Sequence, residues 1–122
     1  MKNVQTFKDL LVWQRSHEFV VLVYKTTKQF PKEELFGLSS QFRRAAVSIA
    51  ANVAEGYRKT SKLEKLRFFN ISQGSLEECR YYLILSKDID YINEESYNIL
   101  NEKIQETSYL LNKYCDTIKT TM

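Results

Sequence analysis

Residues 93–118 read NEESYNILNEKIQETSYLLNKYCDTI, and within them Tyr97, Leu100, Ile104, Thr107, Leu111, Tyr114 and Ile118 recur at alternating steps of three and four. That period places all seven on one seam of an α-helix, sustained over three heptads. Asn93 supplies an N-cap, and Glu94 and Glu95 in the first turn suit the positive end of the helix dipole. A helix with one apolar seam must bury it against others, so the rest of the chain is read for matching stripes.

Working backwards, Ser61-Lys62-Leu63-Glu64 is a capping box that starts a third helix. Its stripe is Leu66, Phe69, Ser72, Leu76, Cys79 and Leu83, with Phe68, Ile71, Tyr82 and Leu85 on an adjoining face. Gly74 sits mid-helix at a cost of about 1 kcal/mol relative to Ala, which predicts that some backbone needs the room. A second helix carries Phe42, Ala46, Ile49, Val53 and Gly56, surrounded by Ala45, Ala50, Ala51 and Ala54. Side chains this small let a neighbouring backbone come close.

The first helix is predicted from a start at Thr6–Asp9 and carries two apolar stripes. Leu10, Trp13, His17, Val20 and Tyr24 form one, read as the bundle side, and Val12, Phe19 and Val23 form the other. Phe30-Pro31 ends the helix, because a residue before proline is pushed out of the α region. Pro31 to Glu34 reads as a short helical turn closed by Gly37.

These signals predict an all-α, antiparallel up-down four-helix bundle in a single domain over 1–122, with helices at roughly 7–28, 39–57, 62–89 and 94–119. The short connections at Tyr57–Ser61 and Asp90–Asn93 force antiparallel neighbours. Three Gly and one Pro are too few turn residues for a multi-stranded sheet. The longest apolar run, Phe19–Tyr24, falls far short of the ~20 residues of a membrane span, and no charged-then-apolar leader opens the chain. The expectation is a cytoplasmic protein without membrane contact.

Catalytic and metal constellations fail on residue counts. His17 is the only histidine and shares a stripe with Trp13 and Tyr24, so it reads as a core or interface residue. A di-iron bundle needs Glu-x-x-His on two helices, and the residue three before His17 is Gln14. Cys79 and Cys115 lie on apolar stripes, roughly 18 Å apart along antiparallel helices, too far for a disulfide. Glu77-Glu78 and Glu94-Glu95 splay around their helices. The chain is therefore read as non-catalytic, with no cofactor and no metal site.

Charge is more informative. Residues 1–67 hold 13 Lys/Arg against 6 Asp/Glu, or +7, while residues 68–122 hold 5 against 9, or −4. Arg58, Lys59, Lys62, Lys65 and Arg67 crowd the turn between the second and third helices, and Arg43 and Arg44 lie near the start of the second. Cations so placed suit phosphates, giving salt-sensitive RNA or DNA affinity with little sequence discrimination. Tyr57 in the turn is a candidate to stack on a base. The competing reading is a solvated surface, with Glu55 and Lys59 as an i, i+4 pair.

Several stretches together resemble a known family. They are Asp9-Leu10-Leu11-Val12-Trp13-Gln14, Phe30-Pro31-Lys32-Glu33-Glu34, Leu38-Ser39-Ser40-Gln41, the run from Arg43 to Gly56, and Gly74-Ser75-Leu76-Glu77-Glu78. In this order they resemble the four-helix bundle proteins encoded in intervening sequences of bacterial 23S ribosomal RNA genes. Ala50 departs from the pattern, which often has proline there. The resemblance implies a ring, typically a homopentamer. It also implies a relationship to accessory proteins of diversity-generating retroelements, and so RNA and a reverse transcriptase as partners; it implies no catalytic residues and does not imply ribosome membership.

The second apolar stripe of the first helix fits that expectation, since a solitary bundle has little use for two greasy faces on one helix. Val12, Phe19 and Val23, with Ala50, Ala51 and Ala54 of the second helix, are the expected subunit interface. The alternative function is a structural or adaptor oligomer that docks onto a protein partner without binding nucleic acid.

Overall fold

The computed structural model describes residues 4–122. Four long helices carry the chain: α1 (Leu11–Thr27), α2 (Leu38–Arg58), α3 (Lys62–Asp88) and α4 (Glu94–Thr120). Two short 3-10 turns, Phe7–Asp9 and Lys32–Glu34, precede α1 and α2, and the described residues contain no strand.

Each long helix packs against two others, α1 on α2 and α4, and α3 on α2 and α4, an arrangement consistent with a bundle. Between α2 and α3 the bonded pairs are Ser48–Ser75, Ile49–Ser72 and Tyr57–Lys65. Between α3 and α4 they are Gln73–Asn112 and Arg80–Gln105. Partner numbers fall on one helix as they rise on the other in both cases.

The first helix differs from its expected form. Thr6 does act as a cap, its hydroxyl accepting from Lys8 N at 3.2 Å while Asp9 accepts from Thr6 N at 3.1 Å. That cap closes only the 3-10 turn. Leu10 is extended (φ −78°, ψ 126°), buries its side chain, and breaks the turn from α1. The break folds Phe7 back onto Trp13, edge to face at 5.0 Å.

The two stripes of α1 are also exchanged. Val12, Phe19 and Val23 are 4%, 0% and 0% exposed and lie within the chain's own core. They cannot form the surface of a subunit interface, and that expectation is corrected. Trp13 and Val20 are only half-buried, and Tyr24 and His17 are exposed, so His17 is not a core residue. The reason is two hydroxyls. Ser16 and Thr27 complete the buried stripe, each donating to the carbonyl four residues back at 2.7 Å. A hydroxyl so satisfied is buried without penalty, and polar letters at those positions had hidden the true inward face.

The remaining core follows the expected stripes. Phe42, Ala46, Ile49 and Val53 of α2 meet Phe69, Leu76, Cys79 and Leu83 of α3 and Leu100, Ile104 and Leu111 of α4, all buried. Cys79 and Cys115 are buried free thiols. α2 runs unbroken through Ala50. At Gly56 a Cβ would lie 2.7 Å from Phe69 Cε1, so glycine here admits α3 to close range.

Candidate nucleic-acid interface

α2 ends at Arg58 and α3 begins at Lys62, so the intervening turn gathers Arg58, Lys59, Lys62, Lys65 and Arg67 at one end of the molecule. Local chemistry fixes four of them. Lys65 reaches back over the C-terminus of α2, its Nζ donating to the carbonyls of Tyr57 at 2.6 Å and Gly56 at 3.3 Å. It thereby satisfies carbonyls that the ending helix leaves bare. Burial holds the Lys65 ammonium below its usual pKa. Lys62 does the same for α4, donating to the Thr121 carbonyl at 2.6 Å.

Lys59 and Arg67 flank the ring of Phe68, at 4.9 and 5.1 Å from its centroid. Lys59 makes no ion pair with Glu55, contrary to the simple i, i+4 reading. Arg67 pairs with Glu64 at 2.9 Å. Arg58 is exposed and has no acidic partner among the described residues. Tyr57 is half-buried beneath Lys65, whose Nζ lies 5.4 Å from the ring, which leaves it poorly placed to stack on a base.

Carbonyls and ring faces orient cations without neutralising them. Arg67 alone among these five faces a carboxylate, so the turn keeps most of its positive charge.

Arg43 and Arg44 do not join this cluster. Arg44 lies fourteen residues before Arg58 on α2, about 21 Å along the axis at about 1.5 Å per residue. Arg43 is half-buried, with Nε donating to Thr27 Oγ1 at 2.7 Å and its guanidinium over the Tyr24 ring at 4.9 Å. It ties α2 to the end of α1, away from the basic turn. Arg44 is exposed and bonds Gln41 at 3.2 Å.

A second surface went unread in the sequence. Trp13, His17 and Val20 of α1 and Val47, Ala50, Ala51 and Ala54 of α2 line a groove of about 280 Å³, with Phe7 at its rim. His17 stacks flat on Trp13, with ring centroids 5.1 Å apart. Ala50 is buried in its floor, Ala54 is half-buried and Ala51 stands exposed. The α1 side chains that line the groove, Trp13, His17 and Val20, belong to the stripe read as the bundle side.

No group of three or more His, Cys, Asp or Glu among the described residues is placed to hold a metal ion. No helix is long and apolar enough to cross a membrane.

A four-helix pattern with a charged turn is common to many folds, and comparison with known proteins narrows it. The model of the 23S rRNA-intervening sequence protein family matches residues 8–113. The chain belongs to that family. A structural relative is a protein of unknown function from the S23 ribosomal protein family of Bacteroides thetaiotaomicron VPI-5482, determined at 1.70 Å. It is 29% identical, with a TM-score of 0.78 over 86% of this chain and 98% of that one. No curated protein matches the chain.

Proposed function

We propose that the protein is a non-catalytic cytoplasmic oligomer that binds RNA or DNA through the basic end of an antiparallel up-down four-helix bundle, with little sequence preference. The observation that carries this reading is the α2–α3 turn, where four of five cations pair with no acid. The opposite order of bonded residues along α2–α3 and α3–α4 supports the up-down topology. The open α1–α2 groove supports self-association, and the family resemblance points to a homopentamer.

The test is affinity for fluorescent RNA and DNA oligonucleotides of unrelated sequence at ~50 and ~200 mM salt, where phosphate binding weakens steeply. Arg58→Ala with Lys59→Ala is expected to flatten that dependence while leaving the fold intact. Absence of binding at low salt, or an unchanged slope in the variant, overturns the reading. Turnover that depends on His17 would overturn its non-catalytic part.

A specific observation favours the adaptor reading as the second. Phe36 is 92% exposed beside the exposed Leu35, in the connection before α2, far from the basic turn. Such a knob suits a protein partner, for which the resemblance suggests a reverse transcriptase. Binding of a purified reverse transcriptase that Phe36→Ser abolishes, with no measurable RNA affinity in the wild type, would select this reading.

A further inference from the structure

Where α1 gives way to α2, at the opposite end of α2 from the basic turn, the chain encloses a cavity of about 350 Å³. Phe30, Pro31 and Leu35 supply its apolar lining, and Ser39 and Arg43, one turn apart on α2, supply polar groups. Lys28 and Lys32 also line it, are exposed, and pair with no acid among the described residues.

Arg43 is held in place without being neutralised. The Thr27 hydroxyl donates to the Val23 carbonyl and accepts from Arg43 Nε, both at 2.7 Å, while the guanidinium lies 4.9 Å from the Tyr24 ring centroid. Its two terminal nitrogens meet no acceptor among the described residues, and no carboxylate pairs with it. Glu34, in the same connection, commits its oxygens to Leu38 N and the Tyr91 hydroxyl.

Ser39 is 3% exposed, yet its hydroxyl makes no hydrogen bond among the described residues. Every fully sealed side-chain polar atom there is bonded, so this oxygen is open to the cavity that Ser39 lines. A hydroxyl this deep gains from a polar partner.

We infer that the cavity is a binding site for a small carboxylate carrying a compact apolar body, such as a single ring. With Nε engaged, Arg43 offers its terminal N–H groups to the carboxylate, and the Ser39 hydroxyl donates to the same group. Phe30, Pro31 and Leu35 receive the apolar body, and Lys28 and Lys32 draw anions towards the mouth. A mostly apolar lining with few polar groups is the pattern of small-molecule sites, and the volume falls at the small end of their range of about 300–1,000 Å³. A backbone phosphate of a nucleic acid, flanked by polar sugars, leaves the three apolar side chains unmatched.

The test is calorimetric titration of the full chain with phenylacetate, phenylacetamide, acetate and inorganic phosphate. Phenylacetate is expected to bind with a Kd of about a millimolar or below, and the other three about tenfold more weakly or worse. Ser39→Ala and Arg43→Gln are each expected to weaken phenylacetate about tenfold, and Arg43→Lys, which keeps the charge but loses the fork, not to restore full affinity. Ser39→Ala removes a hydroxyl with no partner in the chain, so it tests the site without disturbing the fold; circular dichroism checks each variant. No saturable binding of phenylacetate up to about 20 mM overturns the inference. So does equal affinity for phenylacetamide, acetate or phosphate, or unchanged affinity in Ser39→Ala or in folded Arg43→Gln.

Discussion

The phenol of Tyr91 donates to Glu34 Oε2 at 2.7 Å, joining the α3–α4 turn to the connection between α1 and α2. The other oxygen of the same carboxylate accepts from Leu38 N at 3.0 Å and so caps α2. These bonds, the backbone N–H foremost, hold the Glu34 carboxyl below its usual pKa. Across the molecule, the hydrogen bond from Lys103 at 2.8 Å lowers Glu18 in the same direction.

A carboxylate whose pKa is lowered on folding contributes stability above its unfolded value and loses it as pH falls through the folded one. Stability should therefore be level near neutrality and decline below about pH 4.5, the ordinary Glu value. Urea unfolding between pH 6 and 3 should show a shallower decline in Glu34→Gln than in the wild type. An identical pH profile would remove Glu34 from the acid response.

Gly56 is fixed by contact. Alanine would normally improve a helix by about 1 kcal/mol. Here its methyl would press on Phe69 Cε1 at 2.7 Å and Phe68 Cβ at 3.1 Å. Gly56→Ala is expected to lower stability by about 1–3 kcal/mol, as overpacking does. Thermal unfolding decides it, and a raised midpoint would refute the close approach.

Asp90 is the sole described non-glycine residue with positive φ, at 63°. It closes α3 in the left-handed conformation while Tyr91 N bonds back to the Ser86 carbonyl at 2.8 Å. Glycine adopts this conformation without the Cβ penalty, so Asp90→Gly should raise stability by about 0.5–1 kcal/mol. A urea midpoint that falls instead would show that the aspartate side chain stabilises the turn.

Lys65 and Arg58 carry the same charge and should behave differently. Lys65→Ala removes a cation from two terminal carbonyls and is expected to cost about 1 kcal/mol of stability. Arg58→Ala touches no partner and should stay within about 0.5 kcal/mol of the wild type. Parallel urea titrations compare them; equal effects would mean that the α2 terminus does not depend on Lys65.

Helices were legible where one signal outweighed its rivals. The α4 seam, the Ser61 capping box and the Asn93 cap state their roles in single residues, and in the structure Ser61 and Asn93 accept from Glu64 N and Ser96 N at 3.0 and 2.8 Å. α1 was ambiguous because both of its stripes are apolar. What separates them is the burial of Ser16 and Thr27, a property of side chain-to-backbone bonds that hydrophobic spacing cannot register. The basic turn was visible as a run of cations, but that Lys62 and Lys65 close helix ends depends on which carbonyls the fold brings within reach. The Arg43 bond to Thr27 was hidden for the same reason, since its partner is sixteen residues away in the chain. The groove beside Trp13 needed two helices placed side by side.

Ser16, Ser86 and Thr107 each turn their hydroxyls onto their own helix. Such groups ask nothing of the rod opposite and leave it free to slide. Ser72 and Ser75 differ, crossing from α3 to the Ile49 carbonyl and to Ser48 Oγ. Two neighbouring oxygens thus act as the detent between these cylinders, and the height of every feature mounted on their outer sides hangs from them.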